Sequence, residues 1–500
     1  MTLTRLTGAL TPVANHRPWP RYAVTEAHWR EAGVALAYGR LTLLGLWGEA
    51  SRTHLALFDE AARGIAVLSI DCASGVYPSI GALHPPAIRF ERAINDLFGL
   101  KAAGAIDQRS WLDHGRWGMA APMAQTPRDA HAAPYMFLPV EGESLHQIPV
   151  GPVHAGIIEP GHFRFTASGD TVVRLEERLG YVHKGIESLM AGANLDRGAK
   201  LAGRTSGDSS VAYAFAFARA AEAALGIEPP PRAQMLRGIM AELERLANHF
   251  GDIGAICNDA AFVMMHAHCS VLRERVLRAA DACFGHRLMR DVIVPGGVAR
   301  DLDASGAEML RKGLRDWRRR FRALVTLYDE TPSLEDRTVG AGVVKAELAR
   351  QFGAGGFVGR ASGRAFDTRT AFPYPPYDSI APETPVLTEG DVDARVWIRI
   401  REAQQSMSLV EQMLDALPEG GIRSDFTSGA GEGMALVEGF RGDVLVWLRL
   451  DDEGNIARCH LRDPSWMQWP LLEAAIEGNI VGDFPLCNKS FNCSYSGHDL

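Results

Sequence analysis

Residues 232–256 read RAQMLRGIMAELERLANHFGDIGAI, and their pattern indicates a long helix. Its apolar side chains recur at the three- and four-residue spacing of one helix face: Leu236, Ile239, Met240, Leu243, Leu246, Phe250 and Ile253. Three further stretches repeat this pattern: residues 261–284, 304–328 and 390–416. Long amphipathic helices bury their apolar faces against one another, so the sequence predicts a helix bundle at the centre of the protein.

Upstream of the bundle, the sequence predicts a small domain over residues 1–117. Three short runs there are rich in Leu, Val and Ile and predict strands: residues 40–47, 53–58 and 64–70. Predicted helices at 24–38 and 86–98 flank these strands. Strands and helices in this order indicate an α+β domain.

Residues 118–150 are rich in Ala, Pro and His without periodicity, and we interpret them as a linker. Residues 151–500 form the second domain, which begins with a short β region and then contains the bundle. Near its end, MALVEGF, DVLVWLRLDD and NIARCHLRD alternate like strands, and DDEG at 451–454 supplies a hairpin turn. The expected fold class is α+β, with a small N-terminal α+β domain before a mainly helical domain flanked by small β-sheets.

Composition excludes several classes of function. A net charge of -8 and a pI near 6.1 argue against a nucleic-acid partner, because phosphate binding needs clustered Lys and Arg. The basic run at 315–322 lies on a predicted helix, where a solvated face explains it. No long uncharged apolar stretch and no signal peptide are visible, and the seven scattered cysteines suit a reducing compartment. We expect a cytoplasmic chain that meets a membrane only through partners.

Three local motifs resemble chemical sites but have simpler interpretations. The glycine-rich stretch 353–363 follows a predicted helix rather than the strand that a dinucleotide site needs. Gly207-Asp208-Ser209 resembles an esterase motif, yet it precedes a helix and is better explained by capping through Ser206, Asp208 or Ser209. His266, His268 and Cys269 are metal-ligand types, but two residues apart on a helix they point in different directions.

Several longer segments carry a family resemblance: GPVHAGIIEPGHFRF at 151–165, RLGYVHKGIESLMAG at 178–192, ERLANHFGDIGAICNDAAF at 244–262 and GFVGRASGRAFDTRTAFPY at 356–374. They resemble the large subunit of membrane-bound [NiFe]-hydrogenases of the formate hydrogenlyase and hydrogenase-4 type. That family is related to the quinone-site subunit of respiratory complex I. Residues 89–115, RFERAINDLFGLKAAGAIDQRSWLDHG, resemble the small complex I subunit that is fused ahead of it. The resemblance covers nearly the whole chain.

The chain departs from this family at the positions that hold the metal. The resemblance implies four thiolates from two CxxC pairs, because soft sulfur ligands suit nickel and iron. The matching positions are Ser206, Ser209, Ser494 and Gly497. Cys493 is one residue out of register and Cys487 is farther away, so a site built on these two would still lack the first pair. We therefore expect a subunit without nickel and iron of its own.

The complex I relatives use the same cleft to bind a quinone headgroup between a His and a Tyr. The matching positions here are Ile158 and Gly207, so the resemblance does not imply a quinone bound in that way. His154 matches a shared histidine of the GPxH segment. It is a candidate residue of the cleft, and packing alone explains it equally well.

The resemblance also implies a proton path. Glu187 matches the glutamate that starts proton transfer away from the metal, and partial burial would raise its pKa for that role. His183 and Arg360 are expected to flank it, with Asp367 balancing the arginine. The alternative is that Glu187 pairs locally without a chemical role.

The expected function is therefore that of a subunit of a membrane-associated, energy-converting oxidoreductase complex. A partner small subunit would carry a [4Fe-4S] cluster, and membrane subunits resembling those of complex I and antiporters would move protons or sodium ions. The chain itself would lie on the cytoplasmic face of a bacterial membrane and bind no cofactor. Two alternatives remain: an active [NiFe]-hydrogenase or NADH/quinone oxidoreductase subunit, and a scaffold subunit without chemistry.

Overall fold

A computed structural model describes residues 2–129, 134–155 and 157–500. The N-terminal region begins with helix α1 and two short strands and continues with a mixed sheet. Its elements are α1 (Leu3–Thr7), β1 (His16–Arg17), β2 (Arg21–Ala23), α2 (Glu26–Ala37), β3 (Thr42–Glu49), β4 (Arg52–Asp59), β5 (Gly64–Asp71), β6 (Val76–Pro78), α3 (Ile88–Phe98) and β7 (Lys101–Ala103). Strands β2, β5, β4 and β3 form one sheet in that order, with β2 parallel to β5 and the remaining pairs antiparallel.

The next segment leads into a three-stranded antiparallel sheet. The strands of this part of the chain are β8 (Met119–Ala120), β9 (Arg128–Asp129), β10 (Leu145–Val150), β11 (His162–Ser168) and β12 (Thr171–Arg178). Strands β10, β11 and β12 form the sheet, and β8 pairs separately with β9. Strand β10 pairs with β11 from Leu145 to Val150, so the last six residues of the predicted linker belong to this sheet.

The helical body follows. Its elements are α4 (Ile186–Met190), α5 (Leu195–Ala202), α6 (Ser210–Leu225), α7 (Pro231–Asp259), α8 (Val263–Phe284), β13 (Ile293–Val294), β14 (Gly297–Val298), α9 (Ala304–Asp329), α10 (Pro332–Thr338), α11 (Ala346–Gln351), α12 (Gly356–Ala361), α13 (Thr368–Ala371) and α14 (Val392–Asp415). Helix α7 packs against α8 and α14, and the apolar residues that predicted it are buried in the main core. The helix bundle predicted from the sequence is confirmed.

The chain ends in a sheet and three helices: β15 (Gly431–Gly439), β16 (Gly442–Leu450), β17 (Ile456–Arg462), α15 (Ser465–Ala475), α16 (Phe484–Phe491) and α17 (Tyr495–Asp499). Strand β1 pairs in parallel with β15, so the N-terminal region completes this four-stranded sheet. Helix α6 covers one face of the sheet, and side chains of the N-terminal sheet, including Trp47, pack on Trp447.

The glycine-rich stretch and the basic run take their simpler interpretations. Gly356 has φ 63° and lies against the carbonyl of Arg441, so the glycine-rich stretch allows a close approach to the β15–β16 turn. Arg319 and Arg320 pair with Asp316 on α9, as a solvated helix face predicts. No helix among the described residues combines the length and apolar character needed to cross a membrane.

Candidate functional site

The loop before α6 and the segment before α17 bring together positions predicted from the sequence to match the family's metal-ligand cysteines. Ser206 Oγ lies 2.8 Å from Ser494 Oγ, although the two residues are 288 positions apart in the sequence. Ser494 begins the last helix as its N-cap, since its hydroxyl accepts from Gly497 N at 2.9 Å. Ser206, Ser209 and Ser494, here called the serine cluster, are all buried.

An ion pair organises the serine cluster. Arg441 donates from both terminal nitrogens to Asp208, at 2.7 and 2.6 Å, and also to Ser209 Oγ at 3.3 Å. Ser206 donates to Asp208 at 2.9 Å. Burial opposes ionisation, yet the Arg441 guanidinium and the Ser206 hydroxyl lower the pKa of Asp208 to about 2. The cluster is thus held by a charged aspartate that sequence reasoning considered only as a helix cap.

The N-terminal cap of α6 does not come from the loop before this helix but from Glu244 of α7. Ser209 is the N-cap residue of α6, but its side chain makes no capping hydrogen bond. The carboxylate of Glu244 on α7 accepts instead from Val211 N at 2.6 Å and Ala212 N at 3.0 Å. The prediction that Ser206, Asp208 or Ser209 caps this helix is therefore wrong, because a tertiary carboxylate takes both amides.

The residues at these four positions do not fit a nickel-iron centre. Hydroxyls replace three thiolates, and Gly497 has no side chain. A Cβ atom at Gly497 would lie 2.8 Å from Ser494 Oγ and would collide with the Asp463 carboxylate, so the site leaves no room for a fourth ligand. Among the described residues, no three His, Cys, Asp or Glu side chains are grouped as metal ligands.

Cys487 and Cys493 lie in separate contacts. The sulfur of Cys487 lies beside Gly342, and Cys493 donates weakly to Gln468 at 4.0 Å. Burial raises the pKa of Cys487 to about 11 and that of Cys493 well above its ordinary value. Both thiols are therefore protonated in the metal-free protein, and a metal would have to displace their protons.

Glu187 is buried on α4 and binds residues of β17. Its Oε1 accepts from His460 Nδ1 and Leu461 N, both at 2.9 Å, and Oε2 lies 2.7 Å from Arg458 Nη1. Burial would raise the pKa, but Arg458 and His460 lower it to about 2. The expected rise in pKa is wrong, because the sequence did not show that Arg458 would lie beside the carboxylate.

The residues expected to flank Glu187 lie in other contacts. His183 Nδ1 hydrogen-bonds to Asp499 O at 2.6 Å, and its ring lies beside Trp117. Arg360 binds Glu402 at 2.7 Å and Glu438 at 2.9 Å, and it lies 3.5 Å from Asp367. The structure thus places Arg360 beside Asp367 but gives Glu187 different partners, Arg458 and His460.

His154 lies half-buried at the edge of the site. Its Nε2 is 3.3 Å from the Tyr495 hydroxyl of α17, so it contacts the same C-terminal segment as the serine cluster. At the two positions that match the quinone ligands, Ile158 packs partly buried against the core and Gly207 lines a cavity of about 240 Å³. Neither position provides a hydrogen-bonding ring.

Comparison with known proteins identifies the family. A sequence profile described as respiratory-chain NADH dehydrogenase, 49 Kd subunit, matches residues 259–429 and 422–499. Formate hydrogenlyase subunit 5 of Escherichia coli (strain K12) is 31% identical over 445 residues, which covers 86% of this chain and 78% of that protein. The chain belongs to the 49 Kd subunit family.

Other members of the 49 Kd subunit family give similar matches. Hydrogenase-4 component G of E. coli (strain K12) is 31% identical, and the match covers 86% of this chain and 77% of that protein. An NADH-quinone oxidoreductase subunit of Syntrophobacter fumaroxidans is 32% identical, and the match covers 70% of this chain and 95% of that protein. These matches confirm the resemblance stated from the sequence.

A solved structure of an archaeal respiratory membrane complex, the membrane-bound sulfane sulfur reductase, contains a similar chain. The TM-score is 0.68 at 26% identity, and the match covers 73% of this chain and all of that one. The mixed α and β architecture is therefore shared with a subunit of a respiratory complex, and the predicted fold class is confirmed.

Proposed function

We propose that this protein is a nickel-free large subunit of a membrane-associated oxidoreductase complex, in which electron transfer at a partner subunit is coupled to proton or sodium translocation. The observation that carries this proposal is the serine cluster. Its members occupy three of the four positions that match the family's metal ligands, and the Asp208–Arg441 pair fills the same region with a fixed ionic contact. Any redox cofactor of the complex, such as a [4Fe-4S] cluster, would then belong to a partner subunit.

Proton movement near Glu187 is proposed to involve the Glu187–His460 pair rather than Glu187 alone. A carboxylate with a pKa of about 2 stays ionised at neutral pH and so is a poor first acceptor. His460 is kept neutral by burial, and its other ring nitrogen has no hydrogen-bond partner among the described residues. Burial and the lack of a partner at this nitrogen both oppose a second ring proton, so proton transfer through His460 would depend on the Glu187 charge to stabilise the imidazolium.

The segment around His154 is proposed as the contact with the partner subunits. Val153 is 83% exposed and Ile157 is fully exposed, so two large apolar side chains on one loop face solvent in the isolated chain. Large exposed apolar groups beside a polar cleft are typical of interfaces rather than of free surfaces. A location at the membrane periphery would follow from these partners.

The test is metal analysis of the complex purified from its native membrane, with nickel and iron quantified per copy of this chain. Iron without nickel is the expected result. Nickel near one per chain would overturn the proposal and make Cys487 and Cys493 the first residues to mutate.

A matched variant sharpens that measurement. Ser206→Cys/Ser209→Cys/Ser494→Cys restores three of the four thiols, but Gly497 has no space for the fourth, so the variant should still lack nickel. Redox activity that is unchanged in Glu187→Gln, in a fully assembled complex, would instead favour a scaffold role.

A further inference from the structure

A second cluster of charges lies at the centre of the protein, outside the serine cluster. It joins four carboxylates to three guanidiniums and is here called the ion network: Glu242, Asp367, Glu402, Glu438, Arg245, Arg360 and Arg369. Helices α7, α12, α13 and α14 and strand β15 contribute these residues, with Asp367 as the N-cap of α13. Each of the seven is no more than 2% exposed, so solvent cannot screen their charges.

Glu438 is the member that β15 contributes. Its Oε1 accepts from Arg360 at 2.9 Å, and its Oε2 accepts from Thr368 N at 2.9 Å. The Thr368 hydroxyl lies 3.1 Å from the same Oε2. That hydroxyl can accept a hydrogen bond as well as donate one, so the surroundings suit both the carboxylate and the carboxylic acid.

Each of the other three carboxylates of the ion network contacts a larger number of cationic groups than Glu438 does. Asp367 binds Arg369 at 2.7 Å and accepts from its backbone amide. Glu242 binds Arg369 at 2.9 Å and also accepts from Tyr377 and Ser406. Glu402 binds Arg360 at 2.7 Å and His249 at 2.8 Å. Of the four carboxylates, Glu438 has the fewest cationic contacts, because it shares Arg360 with two others.

Two neighbouring ion pairs leave this balance unchanged, and Arg219 on α6, which donates to Leu436 O and lies over the Tyr374 ring, is a further cation that lines a separate cavity. Asp443 on β16 pairs with Arg462 at 2.5 Å, and Asp252 on α7 pairs with Arg399 on α14 at 3.2 Å, so each pair is neutral. The Tyr374 hydroxyl accepts from Glu438 N. With four carboxylates and three guanidiniums, the ion network has one uncompensated negative charge if all of them ionise.

A buried uncompensated charge is strongly unfavourable, so the ion network should bind a proton. His249 is one possible carrier, but a second ring proton would sit on Nδ1, which has no partner among the described residues. Burial accordingly lowers the pKa of His249. Burial and the neighbouring Asp367 raise the pKa of Glu438 to about 7, whereas the arginines outweigh burial at Asp367 and keep its pKa low.

We propose that Glu438 is a proton-binding site that completes the charge of the ion network and can release its proton. In this release, the O–H bond of the carboxylic acid breaks, the electron pair stays on Oε2, and the proton leaves to a base. The protonated form donates to the Thr368 hydroxyl, and the ionised form relies on Arg360 and the Thr368 amide.

The position of Glu438 links this site to the serine cluster. Glu438 lies near the end of β15 and Arg441 lies in the turn that follows, and Arg245 donates to the backbone carbonyls of Glu438 and Gly439 at that end of the strand. Loss of the proton from Glu438 would therefore change the charge within three residues of the arginine that holds Asp208. A role for this charge in coupling rests on the proposed function, whereas the proton site itself does not.

The experiment is an infrared titration of the purified full-length chain across neutral pH, following the carbonyl stretch of buried carboxylic acids. Wild type is compared with Glu438→Gln and with Glu244→Gln as the matched control. Glu244 is also buried, and its pKa is raised to about 8 by that burial, but it caps α6 outside the ion network. The Glu438→Gln spectrum should lose one band that titrates near pH 7, and Glu244→Gln should retain that band.

A second variant covers the case in which Glu438→Gln does not fold, since an amide nitrogen cannot accept from Thr368 N. Glu438→Asp keeps the carboxylic acid and should shift the band in frequency without removing it. The proposal is overturned if Glu438→Gln retains every titrating band, or if the band that it loses titrates in the range of an ordinary glutamate. Activity of the assembled complex is measured separately, so failure of the proposed function would leave the infrared result intact.

Discussion

Replacing Glu187 by glutamine tests the ion pair between α4 and β17. Arg458 and Glu187 lie 2.7 Å apart, with side chains 6% and 4% exposed, and the amide would leave the guanidinium buried without its counter-charge. Breaking a buried pair in this way costs about 3–5 kcal/mol. The lowering of the Glu187 pKa from 4.5 to about 2 corresponds independently to roughly 3 kcal/mol. Glu187→Gln should therefore lower the free energy of unfolding by about 3 kcal/mol or more at neutral pH.

The pH dependence of this effect has a definite sign. Because the folded-state pKa is below the ordinary value, the stabilisation is fully present above pH 4.5 and is lost as the pH falls toward 2. The assay is urea unfolding followed by tryptophan fluorescence at several pH values. Wild type should lose stability in that acidic range more steeply than Glu187→Gln, in which the group no longer titrates.

Two further variants separate the ion pair from other causes. Glu187→Gln/Arg458→Leu removes both charges, so its cost should be smaller than the sum of the single variants. Glu26→Gln breaks the exposed Glu26–Arg30 pair, which is as short at 2.6 Å, and should cost less than about 1 kcal/mol. If Glu187→Gln lowers the free energy of unfolding no more than Glu26→Gln does, the buried Glu187–Arg458 pair does not stabilise the protein as argued.

Three other substitutions give expectations for the same urea assay or for assembly. Gly497→Ala should lower the free energy of unfolding by about 1–3 kcal/mol, because the new methyl group meets the Asp463 carboxylate. Gly482→Ala, where the new methyl group makes only an ordinary contact, should leave the free energy of unfolding nearly unchanged. Equal effects of the two substitutions would argue against close packing at Gly497. Arg441→Gln should lower the free energy of unfolding by about 1–3 kcal/mol, because it leaves the partly exposed Asp208 carboxylate without its guanidinium; an unchanged stability would contradict a charged Asp208. Val153→Ser/Ile157→Ser should change the free energy of unfolding by less than about 0.5 kcal/mol but reduce co-purification of partner subunits. Val263→Ser, at an exposed position on α8, is the control. Undiminished co-purification would show that Val153 and Ile157 are not part of an interface.

The sequence predicted the long helices well because their large apolar residues recur at helical spacing, even in α7, which is buried on all sides from Leu236 to Phe250. The spacing of Leu236, Leu243 and Phe250 marked a buried face, and α7 runs from Pro231 to Asp259 around it. The predicted strands near the end were also found, at Gly431–Gly439, Gly442–Leu450 and Ile456–Arg462. Hydrophobic periodicity and turn-forming residues are local properties, so they can be recognised in a single sequence.

The chemistry of the site depends on pairings that no local pattern contains. Glu187 and His460 are 273 positions apart, and only the packing of α4 on β17 brings them together. Glu438 lies in an alternating segment where a charged residue suggests a solvent-facing position, yet both faces of β15 are covered. Its partners Arg360 and Glu402 come from two other helices, so the sequence did not indicate a buried network with one carboxylate in excess.

The short contact between the first and last parts of the chain has a consequence for how the protein is made. Strand β1 pairs with β15, and Arg21 binds Glu432 across 411 positions of sequence at 2.8 Å. Such pairings form slowly, because a very long loop must close before any contact compensates for it. During synthesis β1 therefore stays unpaired until β15 has left the ribosome. We expect chaperone dependence and aggregation of truncated products to concentrate at this unpaired strand.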